Sequence, residues 1–464
     1  MTDIKSPLAS SPKAAAPTIK RFNGASSVDQ QKLVGLSFTP DSNGAASYSY
    51  FVEFINSVFS IYDKETGSLI GTRVSDTQFW VSAGIQRPGN IVDPRIVFIP
   101  DAGRHGQWLA VQLDLGNRVF IATTDPSEPL ADPSVGKWKA SEFALPGNDF
   151  VMLGYDARGV YIGTNSEAGP GPGRSPQIVF IPRSNALAYP PQVSPDAITI
   201  IGPVQKAEYG ESLYPIIDQS GAGWQYETVI GVDNVSKKHL TFSLISPEFK
   251  QILSHGRIEV EPFEPVSPGY RVRQPSPDAY RAVLWSNDGI VAAPMGDGFN
   301  IWLAQTVISP KYGSLAVRWY RLYIDPMTRM PGLAAWGEIS KGNYDCFNPS
   351  ILSFGKDDYT VVSLSRSGGV GTPVDPSKAD CGNIGAYAVL VRESDPTPPE
   401  FIPLMSGQAF NYMTPIMQRW GDYSTICRDP DRNARRAWIV NQYVLQGGAS
   451  VSQWCDVIAS IELA

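Results

Sequence analysis

Short apolar runs separated by polar, turn-forming clusters recur along the chain, and this pattern predicts β-strands. The run Tyr48–Asp63 is rich in aromatic and β-branched residues, and the cluster Asp63–Gly67 ends it. Glycine supplies the positive φ that tight hairpin turns need. The stretch therefore predicts a β-hairpin.

The end of the chain carries the same pattern three times. Two β-rich runs, Arg419–Ile426 and Ala437–Tyr443, flank the polar turn Asp429–Asn433. A third run covers Asp456–Leu463. Proline and Asp or Asn between apolar runs favour a turn, so these runs are predicted to be three strands of one antiparallel unit.

Comparable units recur about every 50–65 residues, a period typical of propellers and other arrays. Seven units are predicted to begin near Tyr48, Asp93, Val151, Leu213, Ala282, Phe347 and Arg419. Three openings are alike: Asp93-Pro-Arg-Ile, Tyr214-Pro-Ile-Ile and Asn348-Pro-Ser-Ile. Proline fits the first residue of a strand, which need not donate a hydrogen bond there.

The sequence therefore predicts an all-β fold, a seven-bladed β-propeller of four-stranded antiparallel blades. Six or eight blades and a pair of stacked sandwiches are the alternatives. Residues 31–464 are predicted to form this single domain, and residues 1–30 a flexible tail. A strand from Leu33–Phe38 is predicted to complete the last blade.

Composition agrees with many short strands. Hydrophobic residues make up 42% of the 464 residues, enough for a substantial core, and 42 glycines and 39 prolines are spread along the chain. Frequent proline and glycine argue against long helices. Trp420 and Trp438 are predicted to lie in the core, because aromatic residues in strands pack between sheets.

Charge and hydropathy exclude several classes of partner. The net charge is −7 and no long Lys/Arg run is present, which argues against nucleic acid. No apolar run reaches the roughly 18 residues needed to cross a bilayer, so membrane insertion is not expected. Residues 1–20 lack the apolar core of a secretory signal. The oligomeric state stays open.

Four cysteines, Cys346, Cys381, Cys427 and Cys455, all lie in the last third of the chain. An even number permits two disulfides, with three possible pairings. The preferred prediction is Cys346–Cys381 and Cys427–Cys455, and four reduced, partly buried thiols are the alternative. No pair has the CxxC spacing of a zinc or redox site.

Three pieces of the chain resemble the bacterial sialidase-like β-propeller proteins. They are the hairpin Phe51–Gly67, the stretch Asp93–Phe98 with Gly106–Leu109, and Arg419–Ser424 with Trp438–Tyr443 and Ile458–Ile461. The resemblance implies the propeller fold and favours an extracellular location, although no signal peptide is visible. It does not imply sialidase activity, because one fold hosts many functions.

The chain departs from the sialidase pattern at two motifs. The nearest match to an Asp-box turn is Ser286–Gly289, which has the wrong spacing and lacks Thr-Trp. The Arg-Ile-Pro motif is missing. Both departures leave the activity undefined.

The starts of propeller inner strands meet at one mouth of the central channel, which predicts a shared polar site. The predicted ligand-binding residues are Asp93, Arg95, Tyr214, Asn348 and Arg419. Arginines can clamp a carboxylate bidentately, and acids can orient hydroxyls or transfer protons. The alternative is that these side chains hydrogen-bond backbone and brace neighbouring blades.

The candidate catalytic residues are Asp422, Tyr423 and His105. His105 lies in a glycine-rich turn and can act as a base near neutral pH. The alternative for His105 is an exposed loop residue. The three histidines show no HxH or HExxH spacing, so no metal site is predicted.

Asp429–Asn433 begins like a calcium loop. It has Ala434 where the loop needs glycine and Val440 where it needs glutamate. A solvated turn is therefore preferred to calcium, and no other cofactor is predicted.

Two function classes follow. The first is a carbohydrate-binding or carbohydrate-processing propeller whose ligand is a glycan or another small polar molecule. Its enzymatic form would be a glycoside hydrolase or a polysaccharide lyase. The second is a non-catalytic protein-interaction or surface-adhesion scaffold. A concave polar pocket at the mouth favours the first, and a mouth plugged by packed side chains favours the second.

Overall fold

The computed structural model describes residues 16–464 except 116, 171–172, 222, 234, 267–269, 277–282, 285–292, 357, 396–398, 410–418 and 447–451. The Asp-box-like turn Ser286–Gly289 lies outside the described residues. Within the described residues no helix is long and apolar enough to cross a membrane.

The described chain consists mainly of antiparallel strands. In chain order they are β1 (Thr18–Ser26), β2 (Gly44–Ala46), β3 (Tyr50–Ile55), β4 (Val58–Asp63), β5 (Ile91–Ile99), β6 (Gln107–Asp114), β7 (Arg118–Thr124), β8 (Trp138–Ala144), β9 (Asn148–Tyr155), β10 (Gly159–Ser166), β11 (Ser175–Pro182), β12 (Thr199–Ile201), β13 (Tyr214–Pro215), β14 (Ile217–Asp218), β15 (Thr228–Asp233), β16 (His239–Ser246), β17 (Gln251–Glu259), β18 (Glu264–Pro265), β19 (Val272–Arg273), β20 (Val283–Leu284), β21 (Met295–Asp297), β22 (Asn300–Ile308), β23 (Leu315–Ile324), β24 (Pro331–Ile339), β25 (Tyr344–Ser353), β26 (Thr360–Gly368), β27 (Gly385–Val391), β28 (Phe401–Met405), β29 (Thr425–Arg428), β30 (Arg436–Gln446) and β31 (Gln453–Glu462). The α-helices are α1 (Ser27–Val34), α2 (Asp76–Ala83), α3 (Arg183–Ala186) and α4 (Lys206–Tyr209), and two 3-10 turns cover Pro129–Ala131 and Val135–Lys137.

These strands form seven blades, which are numbered in chain order. The strands of each blade are given from the innermost to the outermost. Blades 2, 3, 5 and 6 are β5–β8, β9–β12, β21–β24 and β25–β28, and blade 4 is β13, β15, β16 and β17. Blade 7 is β29, β30, β31 and β1. Blade 1 is β2–β4, and isolated bridges at Val74 and Leu69 extend its outer edge.

The inner strands contact one another in a closed ring. β2 contacts β5, β5 contacts β9, and β9 contacts β13 and β14. The ring continues from β14 to β21, from β21 to β25, from β25 to β29 and back from β29 to β2. β14 also pairs in parallel with both β9 and β21, so these strands begin at the same end of the channel. The predicted seven-bladed propeller is confirmed.

The closing strand is β1, and two predictions about the N-terminal region are wrong. Residues 1–15 lie outside the described residues, but Thr18–Ser26 pairs with β31 instead of forming a tail. Leu33 and Val34 lie in α1, so the predicted closing strand at Leu33–Phe38 does not form. Ser26 and Asp29 form a capping box that starts α1. The polar residues of β1 weaken its strand pattern in the sequence, because an edge strand tolerates charged side chains.

Large aromatic side chains fill the spaces between blades. Trp80, Trp108 and Trp138 are buried between blades 1 and 2. Trp420 and Trp438 are each 1% exposed, which confirms their predicted place in the core. Sheets that face each other in this way bury aromatic area on both sides.

The predicted disulfides are absent: all four cysteines are free. Cys427 lies on β29 and Cys455 on β31, and β30 runs between them. Two strand spacings of about 4.8 Å put the two Cα atoms beyond the roughly 7 Å limit for a disulfide. Cys346 pairs in register with Arg366, whose guanidinium donates to the Cys381 carbonyl, so an arginine lies where the other bridge would form.

Candidate functional site

Two inner strands, β5 and β25, carry a bulge at a residue with positive φ. Asp93 has φ 57° and the β5–β6 register shifts between Val92 and Arg95. Asn348 has φ 48° and lies at the same kind of shift in β25. Asp and Asn tolerate the left-handed region better than most residues, which explains the Asp-Pro and Asn-Pro pairs at these bulges.

Four consecutive blades each contribute an aspartate where the inner strand begins. Asp422 precedes β29, Asp41 precedes β2, Asp93 lies near the start of β5 and Asp149 near the start of β9. Together with Arg419 they line a cleft of about 1070 Å³, which we call the acidic cleft. A cavity of this size accepts a ligand of several sugar units.

The prediction joined Asp93, Arg419 and Asp422, and the structure places all three in the acidic cleft. Asp41 and Asp149 were missed. Asp41 lies between the predicted strand Leu33–Phe38 and the first predicted unit near Tyr48, where no element was predicted, and Asp149 follows Gly147-Asn148. A Gly-Asn-Asp turn just before an apolar strand was the available signal for Asp149.

Hydrogen bonds connect Asp422, Asp41 and Asp93 through the backbone and through the side-chain amide of Asn56. The Asp422 amide donates to Asp41 Oδ1 at 2.8 Å, and Arg419 Nη2 donates to Asp422 Oδ2 at 2.9 Å. Asn56 Nδ2 donates to Asp41 Oδ2 at 2.8 Å, and Asn56 Oδ1 accepts from the Asp93 amide at 3.1 Å. Asn56 therefore fixes Asp41 relative to Asp93.

Burial and mutual repulsion shift the acids toward their protonated forms. Burial, with the charges of Asp149 and Asp422, raises the pKa of Asp93 to about 6, although Arg95 opposes the shift. Burial and the Asp422 and Asp93 carboxylates raise the pKa of Asp41 well above its ordinary value. Burial raises the pKa of Asp422, and Arg419 opposes it. Carboxyls that hold protons near neutrality suit acid–base chemistry.

Arg95 and Tyr423 form the floor of the acidic cleft. The Arg95 guanidinium carbon lies 3.6 Å from the Tyr423 ring centroid, and Arg95 Nε donates to the Val151 carbonyl at 2.8 Å. The Tyr423 hydroxyl is buried beside the Asp93 carboxyl group without a hydrogen bond of standard geometry among the described residues. Burial raises the pKa of Tyr423, so this phenol stays protonated.

Beneath this floor the channel narrows to a cavity of about 110 Å³. Its wall is largely apolar and includes Ala45, Ile96, Leu153, Met295 and Ile426. The channel is therefore open and polar at the acidic cleft and narrow below it.

Arg95 and Tyr423 line the narrow cavity below and not the acidic cleft itself, and three further predicted site residues lie away from the cleft. Tyr214 is buried in the core between blades, edge-on to Phe150. Asn348 lies in the channel wall below the floor, and its amide donates to the Gly421 carbonyl. His105 lies between β5 and β6, next to the Ile99–Gln107 pair. That is the far end of β5, about 20 Å from Asp93 at 3.3 Å per residue, so His105 is not part of this site.

The calcium-like turn is occupied by protein donors. Asp429 is buried and accepts from Lys64 Nζ at 3.2 Å and Trp438 Nε1 at 2.9 Å, with Arg436 also in contact. Its carboxylate stabilises the turn, and only the residues beyond it are solvated. Among the described residues no group of three or more His, Cys, Asp or Glu side chains is arranged to hold a metal ion.

Comparisons with known proteins give distant likenesses. No protein-family model matches the chain, and no curated protein matches it. The fission yeast SCAP WD40 domain is 9% identical with a TM-score of 0.36, covering 88% of this chain and 81% of that one. Drosophila Semaphorin 1b, extracellular domains 1-2, is 8% identical with a TM-score of 0.37, covering 96% and 87%.

An enzyme is among the similar solved structures. The alpha-L-arabinofuranosidase from Lactobacillus brevis is 8% identical with a TM-score of 0.33, and the match covers 78% of this chain and 93% of that one. None of these likenesses tests the resemblance to sialidase-like propellers. At such identities and TM-scores the assignment of the fold depends on the closed ring of inner strands, and this chain is a seven-bladed β-propeller.

Proposed function

We propose that this protein binds a carbohydrate in the acidic cleft. The observation that carries the proposal is that Asp41, Asp93 and Asp422 line one cleft of about 1070 Å³ while burial raises the pKa of each. Carboxyl groups accept hydrogen bonds from sugar hydroxyls, and several fixed acceptors select one arrangement of donors.

The rim of the acidic cleft suits the apolar faces of sugar rings. Leu36, Phe38 and Leu115 are 59%, 45% and 41% exposed and line the same cleft. A polar centre with an apolar rim is the usual composition of a small-molecule site.

The same groups can support glycosidic bond cleavage. Asp93, with a pKa of about 6, carries a proton in part of the population near neutrality and can donate it to a leaving oxygen. Burial raises the pKa of Asp422 as well, and Arg419 limits that rise, so Asp422 is the candidate for the base or nucleophile. Two carboxyls with different protonation states are what glycoside hydrolysis requires.

The experiment is a glycan array probed with wild type, Arg419→Ala and Asp93→Asn. Arg104→Ala is the matched control, because Arg104 is exposed near His105 at the other end of β5. Loss of a hydrogen bond to a charged group weakens binding about 10- to 100-fold. We expect that loss in the two cleft variants and wild-type binding in the control. No glycan bound by wild type, or equal binding by all variants, would overturn the proposal.

Hydrolysis is measured on the glycans that the array identifies. Reducing ends released by wild type and not by Asp93→Asn would show catalysis. Binding without release would make the protein a carbohydrate-binding propeller.

A protein-interaction scaffold is the second candidate, favoured by the same exposed rim. It predicts that Leu36→Ser and Phe38→Ser abolish capture of a partner while Asp93→Asn leaves capture unchanged. If Asp93→Asn abolishes glycan binding while Leu36→Ser and Phe38→Ser retain it, the carbohydrate-binding candidate is supported.

A further inference from the structure

The cations that line the acidic cleft are all paired with acids. Lys206 Nζ lies 2.9 Å from Glu211 and Lys237 Nζ lies 2.7 Å from Glu264. Arg419 pairs with Asp422 at 2.9 Å. Among the described lining residues no arginine or lysine is left over to meet a ligand's negative charge.

Two acids at the centre of the cleft form no direct ion pair, although the Arg419 charge acts on Asp41 and the Arg95 charge on Asp93. Asp41 and Asp93 are 3% and 9% exposed, and neither forms an ion pair among the described residues. Asp41 accepts only neutral donors, the Asp422 amide and Asn56. A buried carboxylate without a cation is costly, so a ligand that brings a positive charge gains more here than at the surface.

The Tyr423 hydroxyl is a second, independent sign of a missing ligand group. Tyr423 is 8% exposed and its hydroxyl lies among the charges of Asp93, Asp41 and Asp422 with no standard hydrogen bond in the described chain. Its partner is the Asp93 carboxyl group, and the geometry of that contact is not standard, whereas buried hydroxyls normally form well-aligned hydrogen bonds. An incoming polar group at Asp93 would order this hydroxyl as well.

Arg95 offsets part of the Asp93 charge from below, but it does not line the acidic cleft where the ligand would lie. Its guanidinium lies below, against the Tyr423 ring, and its Nε is used by the Val151 carbonyl. The arginine clamp for a carboxylate that the sequence predicted is therefore unsuited to Arg95 in this arrangement. An acidic sugar would meet like charge, which costs affinity.

We propose that the sugar recognised in the acidic cleft carries a free amine, and that its ammonium group lies between Asp41 and Asp93. This inference depends on the carbohydrate-binding function proposed above. Ammonium donates three hydrogen bonds to carboxylates and removes their mutual repulsion, whereas an N-acetyl group donates one and carries no charge.

The affinity for the amino sugar should depend on pH with a bell-shaped profile. The groups that face Asp93 are Asp41, Asp149, Asp422, Arg95, Arg419 and Tyr423. On the acid side binding falls as both acids become protonated: Asp93, with a pKa of about 6, and Asp41, whose pKa burial raises well above its ordinary value. On the alkaline side it falls as the sugar amine loses its proton. A neutral sugar lacks the alkaline limb.

The test is calorimetric titration of the full chain near pH 6.5 with three tetramers. They are β-1,4-linked glucosamine, its fully N-acetylated counterpart and galacturonic acid. We expect the amine form to bind about 10-fold or more tightly than the N-acetylated form, and the acidic form to bind weakest. Asp93→Asn and Asp41→Asn should remove that preference. Asp196→Asn, an exposed aspartate elsewhere, should keep it.

The outcomes distinguish the amine inference from the carbohydrate-binding function on which it depends. Equal affinity for the amine and N-acetyl forms would overturn the amine inference and leave carbohydrate binding intact. Tightest binding of the acidic tetramer would also overturn it. Binding of none of the three, with no glycan on the array, would remove the function itself. If the variants fail to fold, the comparison of the three ligands on wild type still tests the amine inference. Repeating that comparison with calcium and with EDTA shows whether a cation competes for the same carboxylates.

Discussion

The guanidinium of Arg95 lies over the ring of Tyr423, with its carbon 3.6 Å from the ring centroid, and the pair separates the acidic cleft from the narrow channel below. Arg95 belongs to blade 2 and Tyr423 to blade 7, more than 300 residues apart in sequence. The pair therefore joins two blades across the channel and supports Asp93 from beneath.

Replacing Arg95 should destabilise the fold as well as the site. Arg95→Met removes a charged hydrogen bond to the Val151 carbonyl and a cation–π contact, together about 2–4 kcal/mol. Scanning calorimetry of Arg95→Met and of the exposed control Arg104→Met measures the difference. An equal melting temperature for both variants would contradict the structural role given to Arg95.

The closing strand should be sensitive to one methyl group. A Cβ added at Gly24 in β1 would lie 2.3 Å from Glu53 Oε1, and both side-chain neighbours there are buried. Overpacking a buried site costs about 1–3 kcal/mol. We expect Gly24→Ala to lower the melting temperature and to speed amide exchange in β1 and β31. Gly136→Ala, where a Cβ would meet nothing within 4 Å, should change neither.

The junction between blades 1 and 7 should make stability depend on pH. Burial and the Glu53 carboxylate raise the pKa of Asp456 well above its ordinary value, and burial raises the pKa of Glu53. Both pKa values are higher in the folded than in the unfolded chain. The folded protein therefore binds more protons at pH values between the unfolded and the folded pKa of each group. Their stabilising contribution is complete below about pH 4 and is lost as pH rises through the folded values.

Melting temperatures of wild type and Asp456→Asn between pH 4.5 and 9 test this dependence. The asparagine cannot ionise, so we expect the variant to lose less stability than wild type on the alkaline side. Asp196→Asn should follow wild type. Parallel curves for wild type and Asp456→Asn would show that the buried pair does not titrate in this range.

The four thiols should be free and unreactive in the folded protein. Burial raises the pKa of both Cys346 and Cys427 to about 12, which leaves almost no thiolate at pH 8. We expect a thiol reagent to label little of the native chain within minutes and four thiols per chain after denaturation without reductant. Two or fewer thiols in the denatured sample would contradict the free state.

The sequence showed the blades but not how the ring closes. Alternating apolar runs and Pro-containing openings mark the inner strands because those signals are local, covering fewer than about ten residues. β1 was missed because it is an edge strand that carries Lys20 and Arg21, whose side chains donate to the Lys64 and Leu404 carbonyls, so its apolar pattern is weak. The disulfide prediction failed because cysteine count carries no information on distance.

The sequence by itself determined the all-β class, favoured seven blades over six or eight, and identified three members of the acidic cleft, Asp93, Arg419 and Asp422. Tertiary structure alone decided that Asp41 and Asp149 join them, that Arg95 lies beneath the cleft and that His105 lies at the other end of β5. The physical reason is that strand patterns are set by neighbouring residues. A site at the mouth of a channel is set by how distant strands are arranged around an axis, and so are the charges that shift each pKa.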